Sequence, residues 1–351
     1  MFPHTFEPDD VTVLLERVEP NYLSREDRQA LIDQGTHYNE LISKEQAPSA
    51  SEMALFNDQV LRFGNHMAEM VIQLAKTIAG LESKPVLVSL VRAGTPTGVL
   101  LKRCLAMMDV EAPHFSVSIV QGKGFDEVAI EHILSLGYAP SQLIFVDGWT
   151  GKGVVRRELS EALKTLSAKH GAFRDELFVL SDIAGVAEHA ATREDVLVPS
   201  ALLSGPLCGL VSRTIYRGSP EAPTIHAAAY LDYMEDMDVS RHFVEVMTLR
   251  IKAAMRERSS IGPVMPASEA NRQMQAFLDK VSKEWELAGH SRIKPGVGES
   301  SRLFLRKKPM LLMVKDECAP AVQHLLELAR EKDVPIKVDR HMPYQACTLV
   351  R

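Results

Sequence analysis

The segment Leu143-Ile144-Phe145-Val146-Asp147-Gly148-Trp149-Thr150-Gly151-Lys152-Gly153-Val154 carries the most specific chemistry in the chain. An apolar run ends in an acid, a tight Gly/Thr loop follows, and a helical pattern opens at Val154. Glycines let backbone N–H groups converge on an anion, and a helix N-terminus adds a favourable dipole. Thr150 adds a hydroxyl donor. Asp147, at the predicted strand end, is placed to accept hydrogen bonds from ribose hydroxyls or to help hold magnesium through water. The spacing is not that of a GxxxxGK[ST] loop.

A second segment, Val88-Ser89-Leu90-Val91-Arg92-Ala93-Gly94-Thr95-Pro96-Thr97-Gly98, also follows an apolar run and opens a helix. Arg92 supplies a fixed charge suited to oxyanions. Ala93 and Gly94 let the backbone approach a ligand closely. A Gly-rich stretch, Ile119–Asp126, holds Lys123. In Ser204–Thr214, Arg213 and Thr214 are suited to complete an anion site. A cysteine peptidase would need a thiolate beside a histidine and an orienting group. Cys208, in a Gly-flanked loop, is the best candidate, with His189 or His226; no local motif ties them together, and Cys104 reads as helix core.

These loops need a frame. Apolar runs at Pro85–Leu90, His114–Ile119, Gln142–Val146 and Glu176–Ser181, with a weaker one at Asp195–Val198, read as strands. Thr97–Met108, Phe125–Leu136 and Val154–Lys169 have helical periodicity, and a strong helix runs from Leu55 to Ile78. The alternation predicts an α/β fold, a mainly parallel sheet with helices on both faces. Ligands bind such sheets at the carboxyl ends of the strands, where these loops lie. Shorter helices are predicted around Val11–Arg17 and Arg25–Gln34. Beyond residue 200, Val239–Arg258 and Glu269–Leu287 read as helices, and His290–Ser300 as a boundary loop. Met310–Val314, Ala319–Glu331 and Ile336–Val338 then form a small C-terminal α/β module.

Charged residues are 25 % and hydrophobic residues 46 % of the 351-residue chain, ordinary values for a globular protein. No apolar run has the ~20 residues of a membrane span, and no secretory signal is visible at the first residues. The expectation is a cytoplasmic protein with no membrane partner. The four cysteines form no CxxC pair, so neither a zinc site nor a disulfide framework is expected. Net charge is −6, yet residues 291–351 carry 12 Lys and Arg against 7 Asp and Glu. That basic tail permits a nucleic-acid footprint that the acidic body does not. A homo-oligomer is compatible with the sequence and not required by it.

The Asp147 segment resembles the signature of type I phosphoribosyltransferases, which bind phosphoribosyl pyrophosphate (PRPP). The resemblance implies that Asp147 serves the ribose and that Thr150, Gly151, Lys152 and Gly153 cradle the 5′-phosphate. Gly148 stands where that pattern has a second acid, and the loop is shorter. Arg92, Ala93, Gly94 and Thr95 would hold the pyrophosphate, and Lys123 would lie in the catalytic hood. Asp182 would lie on the acceptor side, and magnesium would arrive through PRPP. The stretches VRAGTPTGVLL, VDGWTGKG and GLVSRT are more similar to one bacterial group linked to tellurite-resistance and stress operons, the StiP-type family, also named for a cysteine protease. Its members end in a pelota-like RNA-binding domain, which implies that Arg302, Arg306, Lys307 and Lys308 contact RNA phosphates. The organisation so implied is an extension at 1–50, a phosphoribosyltransferase-like domain at 51–290 and a pelota-like module at 291–351. Catalysis would rest on Arg92, Asp147 and Lys123, with synthesis of a nucleoside-like metabolite as the outcome. A nucleotide-sensing RNA-binding protein and a cysteine peptidase are the alternatives.

Overall fold

The computed structural model describes residues 2–20, 22, 30–31, 33–35, 44–120, 124–218, 223–258 and 261–350. The first part of the chain contributes short strands β1 (Thr12–Leu14) and β2 (Glu16–Arg17). Helix α1 (Ala50–Leu81) starts at a reciprocal cap: the Glu52 N–H donates to Ser49 Oγ and the Ser49 N–H to the Glu52 carboxylate. There follow β3 (Val86–Val91), α2 (Gly94–Ala106), β4 (His114–Val120), β5 (Gly124–Phe125), α3 (Glu127–Ser135), β6 (Leu143–Thr150), α4 (Val154–His170), β7 (Leu177–Asp182) and β8 (His189–Thr192).

Six of these strands form the parallel order β1-β4-β3-β6-β7-β8, with β5 antiparallel on β4. Alternation along the strands feeds two cores. Val86, Val88, Leu90, Leu143, Phe145, Leu177 and Val179 pack with α3 and α4. Leu87, Ile144, Val146, Phe178 and Leu180 pack with α1, α2 and a later helix. Each such fully buried side chain contributes about 1.5–3 kcal/mol. The parallel sheet covered on both faces is the predicted α/β class. The chain leaves β3 for β4 on one side and returns to β6 on the other. The carboxyl ends of β3 and β6 therefore flank a switch point, where such sheets bind ligands.

After β8 come β9 (Ala227–Ala228), parallel to β2, and the later helix, α5 (Ser240–Glu257). The C-terminal region comprises α6 (Ala267–Glu284), β10 (Ile293–Pro295), α7 (Val297–Arg306), β11 (Leu311–Val314), α8 (Gln323–Glu331), β12 (Ile336–Val338) and β13 (Ala346–Leu349). Its sheet has the order β10-β13-β11-β12. Helix α6 packs Met274, Phe277, Leu278 and Val281 against that sheet.

Several expectations need correction. Val11–Arg17 is two strands: the β-branched and apolar residues of Thr12–Leu14 find a sheet edge at β4, and Glu16–Arg17 pairs with β9. Arg25–Gln34 falls mostly outside the described residues. The strand beside β7 is His189–Thr192, while Asp195–Val198 is irregular. His290–Ser300 is not a loop: it holds β10, paired with β13, and the first turn of α7.

Candidate functional site

Strand β6 continues to Thr150, four residues beyond its apolar run, because β7 pairs with it as far as Thr150↔Asp182. Asp147 and Gly148 are therefore strand residues, and the loop shrinks to Gly151–Gly153. Gly153 begins α4 with φ +77°, a left-handed conformation that glycine adopts without strain.

The Asp147 carboxylate has a single hydrogen-bond partner among the described residues. Its Oδ1 accepts the Gly148 N–H at 2.7 Å. Burial pushes its carboxyl up to about 7, against the opposing pull of that N–H and of Arg302. The Arg92–Thr95 turn lies against it. A Cβ on Gly94 would stand 2.8 Å from the Val146 carbonyl oxygen and 3.3 Å from Asp147 Oδ1. The two predicted loops, some fifty residues apart in sequence, are thus in van der Waals contact.

The other predicted residues are placed differently. Arg92 donates through Nη1 to Glu45 at 2.7 Å and to the Val211 carbonyl at 3.1 Å. The Thr95 hydroxyl is paired with Ser116 at 2.7 Å, leaving backbone groups as the contribution of Ala93–Thr95. The Thr150 hydroxyl turns away from the loop and donates to Asp182. Asp182 is fully buried, accepts the Val186 and Ala187 N–H groups and faces Arg193 at 3.4 Å. It organises the turn after β7 and presents no free edge to an acceptor. Lys152 reaches out of the cradle, donating to the His290 and Ile293 carbonyls at 2.7 and 3.1 Å. Gly151 lies beneath Glu299 of α7. The Arg213 backbone N–H donates to Glu45 at 3.2 Å, and Thr214 accepts from Ser118 at 2.8 Å. Lys123 lies outside the described residues.

The basic stretch also departs from expectation. It is helix α7, and Arg302 and Arg306 turn toward the switch point. Arg302 acts electrostatically on both Asp147 and Cys208. Arg306 sits at the rim, within 3.4 Å of Ser204 Oγ, where partial desolvation and then the charges of Arg302 and Arg92 push it down to about 10. Lys307 and Lys308 face outward, as does the exposed Arg306 in part, and Lys308 stands 4.0 Å from Asp333.

Sequence reasoning missed three further groups. Glu45, in a polar stretch with no motif, lies on Arg92. Thr97 and Ser200 bring hydroxyls to the blank side of Gly148: a Cβ there would lie 3.6 Å from each and 3.5 Å from the Ala93 carbonyl oxygen. Both hydroxyls are buried and lack a partner among the described residues. Thr97 lay in plain sight within the second motif; Ser200 had no signal. The third is Asp195, whose half-buried carboxylate accepts the N–H groups of Val297, Gln345 and Ala346 at 2.8, 2.9 and 3.3 Å. It latches the C-terminal sheet and α7 onto the core.

Cys208 is fully buried, and burial pushes its thiol up to about 12 although Arg92 lies nearby. His226 bonds Ser118 at 2.8 Å and packs on Tyr216; His189 pairs with Glu176 at 3.0 Å and stacks on Phe178. Neither reaches the thiol.

Residues 272–351 match the PELOTA RNA binding domain. Parts of two solved structures are similar: a hypoxanthine-guanine phosphoribosyltransferase of Bacillus anthracis (15 % identity, TM-score 0.28) and the hypoxanthine phosphoribosyltransferase of Trypanosoma cruzi (13 %, TM-score 0.29). Each overlap covers 38 % of this chain and 82 % of the other. A relative from Acinetobacter baylyi, named cysteine protease StiP, is 32 % identical over 364 aligned residues, covering 100 % of this chain and 94 % of the relative. Residues 4–248 match the family described as tellurite-like stress resistance cysteine protease StiP, and the chain belongs to that family.

Proposed function

We propose that the chain binds PRPP or a related ribose phosphate at the β3/β6 switch point and acts as a phosphoribosyltransferase-like enzyme. The observation that carries this reading is Asp147: a half-buried, under-satisfied carboxylate held against the Arg92–Thr95 turn. A ribose diol is a natural partner for it, since hydroxyl donors favour its ionised form. Thr97 and Ser200 add two hydroxyls beside Gly148, a neutral substitute where the transferase pattern has a second acid. Arg92, the Arg213 N–H and the arginines of α7 supply the positive charge that a departing pyrophosphate needs.

Magnesium fits such a site as a partner of the ligand. It is a hard cation that keeps several waters and takes one or two carboxylates plus substrate phosphates. Asp147 offers one such oxygen donor, and the ion would neutralise phosphate charge. The residues of the chain hold the ribose, orient its anomeric carbon and exclude water; the acceptor attacks that carbon as pyrophosphate leaves.

Calorimetric titration of PRPP with magnesium into the wild type and Asp147→Asn tests the reading. Binding in the micromolar to millimolar range, roughly −8 to −4 kcal/mol, weakened in the variant, supports it. No heat and no thermal stabilisation at millimolar PRPP rejects it.

A second reading has its own observation. The PELOTA RNA binding match and the outward-facing Lys307 and Lys308 favour RNA contact by the C-terminal module, in a nucleotide-responsive RNA-binding protein. Salt-dependent RNA binding, reduced when both lysines become glutamine, would support it. The peptidase chemistry in the relative's name has weaker geometric support, because no thiol faces an imidazole among the described residues.

A further inference from the structure

Glu45 precedes α1 in the strap 44–49, of which only Glu45 and Pro48 are not exposed. Its Oε1 takes both the Arg92 guanidinium, at 2.7 Å, and the Arg213 N–H, at 3.2 Å. Those donors are the ones suited to a ligand oxyanion. The ion pair is withdrawn from water, with side-chain exposures of 12 % for Arg92 and 23 % for Glu45. Burial alone would raise the Glu45 carboxyl, yet Arg92, the Arg213 N–H and Arg306 hold it below the usual carboxylate range.

The strap itself is lightly attached. The Glu45 N–H donates to Tyr233 Oη and the Tyr233 hydroxyl donates to the Glu45 carbonyl, both at 3.1 Å. The Lys44 ammonium lies 4.7 Å from the Tyr233 ring centre. A charge mismatch also remains. Arg92 pairs with Glu45, whereas Arg306, which Glu45 and Glu299 influence only at longer range, has no acidic partner within salt-bridge distance among the described residues. A bound anion of two or three charges balances these arginines better than Glu45 does.

We propose that Glu45 is an internal stand-in for a ligand diphosphate: it closes the anion position formed by Arg92, the Arg213 N–H and Arg306, and a pyrophosphate-class ligand displaces it. The ligand class rests on the function proposed above. Arg306 thereby becomes a binding residue supplied by the C-terminal module, and the strap becomes a gate on the site.

The test is titration of inorganic pyrophosphate into the full chain: wild type, Glu45→Gln, Tyr233→Phe, and Glu45→Gln combined with Arg306→Gln. Glu45→Gln is expected to bind at least tenfold tighter than wild type. Tyr233→Phe, which loosens the strap and removes no hydrogen bond to an arginine, should fall between them. Adding Arg306→Gln should remove most of the gain. Unchanged or weaker binding by folded Glu45→Gln and Tyr233→Phe overturns the proposal; if Glu45→Gln does not fold, Tyr233→Phe decides alone. Pyrophosphate has no ribose, so the outcome is separate from that of Asp147. Tighter pyrophosphate binding in Glu45→Gln, with PRPP affinity indifferent to Asp147→Asn, keeps the gate and rejects the ribose site. PRPP affinity that depends on Asp147 but not on Glu45 does the reverse.

Discussion

Gly94 and Asp147 touch so closely that a side chain at Gly94 would have no room: its Cβ would approach the Asp147 Cα to 3.2 Å and the Val146 carbonyl oxygen to 2.8 Å. This contact brings the Arg92 turn and the Asp147 carboxyl into one site. Gly94→Ala is expected to wedge them apart. Stability should fall by about 1–3 kcal/mol, the usual cost of overpacking, and PRPP affinity should fall further than thermal stability accounts for. Denaturant unfolding together with calorimetry reads both, and a neutral Gly94→Ala would show that the two loops move independently.

The Asp147 carboxyl titrates near 7 because burial disfavours its charged form. An acid whose folded pKa lies above its unfolded value holds a proton in the fold and not in the unfolded chain. Its contribution to stability therefore declines as pH rises from about 4 to about 7. Ligand binding has the opposite slope. Hydroxyl donors prefer the carboxylate, so PRPP affinity should climb up to about pH 7 and level off above it. Asp147→Asn should lose that component of the profile while keeping any contribution from ligand phosphate ionisation. Identical profiles for the two proteins would remove Asp147 from the site.

Asp195 joins the two parts of the chain through three backbone N–H groups. In Asp195→Asn one acceptor oxygen becomes an NH₂ donor facing other donors. A loss of about 2 kcal/mol is expected, within the range for buried groups left unpaired. Urea unfolding measures it. A biphasic transition in the variant would mean that the C-terminal module had lost its coupling to the core, whereas unchanged unfolding would deny the latch any energetic role.

Thiol reactivity gives a direct check on the cysteine chemistry. Cys104, Cys208 and Cys347 are buried, and Cys318 is exposed. Burial pushes the Cys104 and Cys208 thiols up to about 12 and raises Cys347 as well. Thiolate is the reactive form. A chromogenic disulfide reagent at neutral pH should therefore titrate Cys318 alone in the native protein and all four thiols after unfolding. Fast modification of native Cys208 would return the peptidase reading to consideration.

Local pattern carried much of the fold and part of the site. The short apolar runs that became β3, β4, β6 and β7, and the helical periodicities between them, depend on neighbours a few residues away, so they are legible in the chain itself. Asp147, Gly94 and the turn at Arg92 were legible for the same reason: a strand, a small-residue turn and a helix start lie in one continuous segment. What tertiary structure decided was the partner of each polar group. Thr150 points to Asp182 because β7 continues the ladder beyond the apolar run. Val11–Arg17 is extended because β4 offers an edge. Lys152 and Asp195 grip a module that begins some hundred residues later. Arg302 and Arg306, a basic stretch with no address of its own, face the switch point because Asp195 fixes the start of α7. Glu45 meets Arg92 only after the sheet, the 204–214 loop and the strap have closed around them. Such pairings depend on charge and hydrogen-bond demand at positions far apart in sequence, and no local period encodes them.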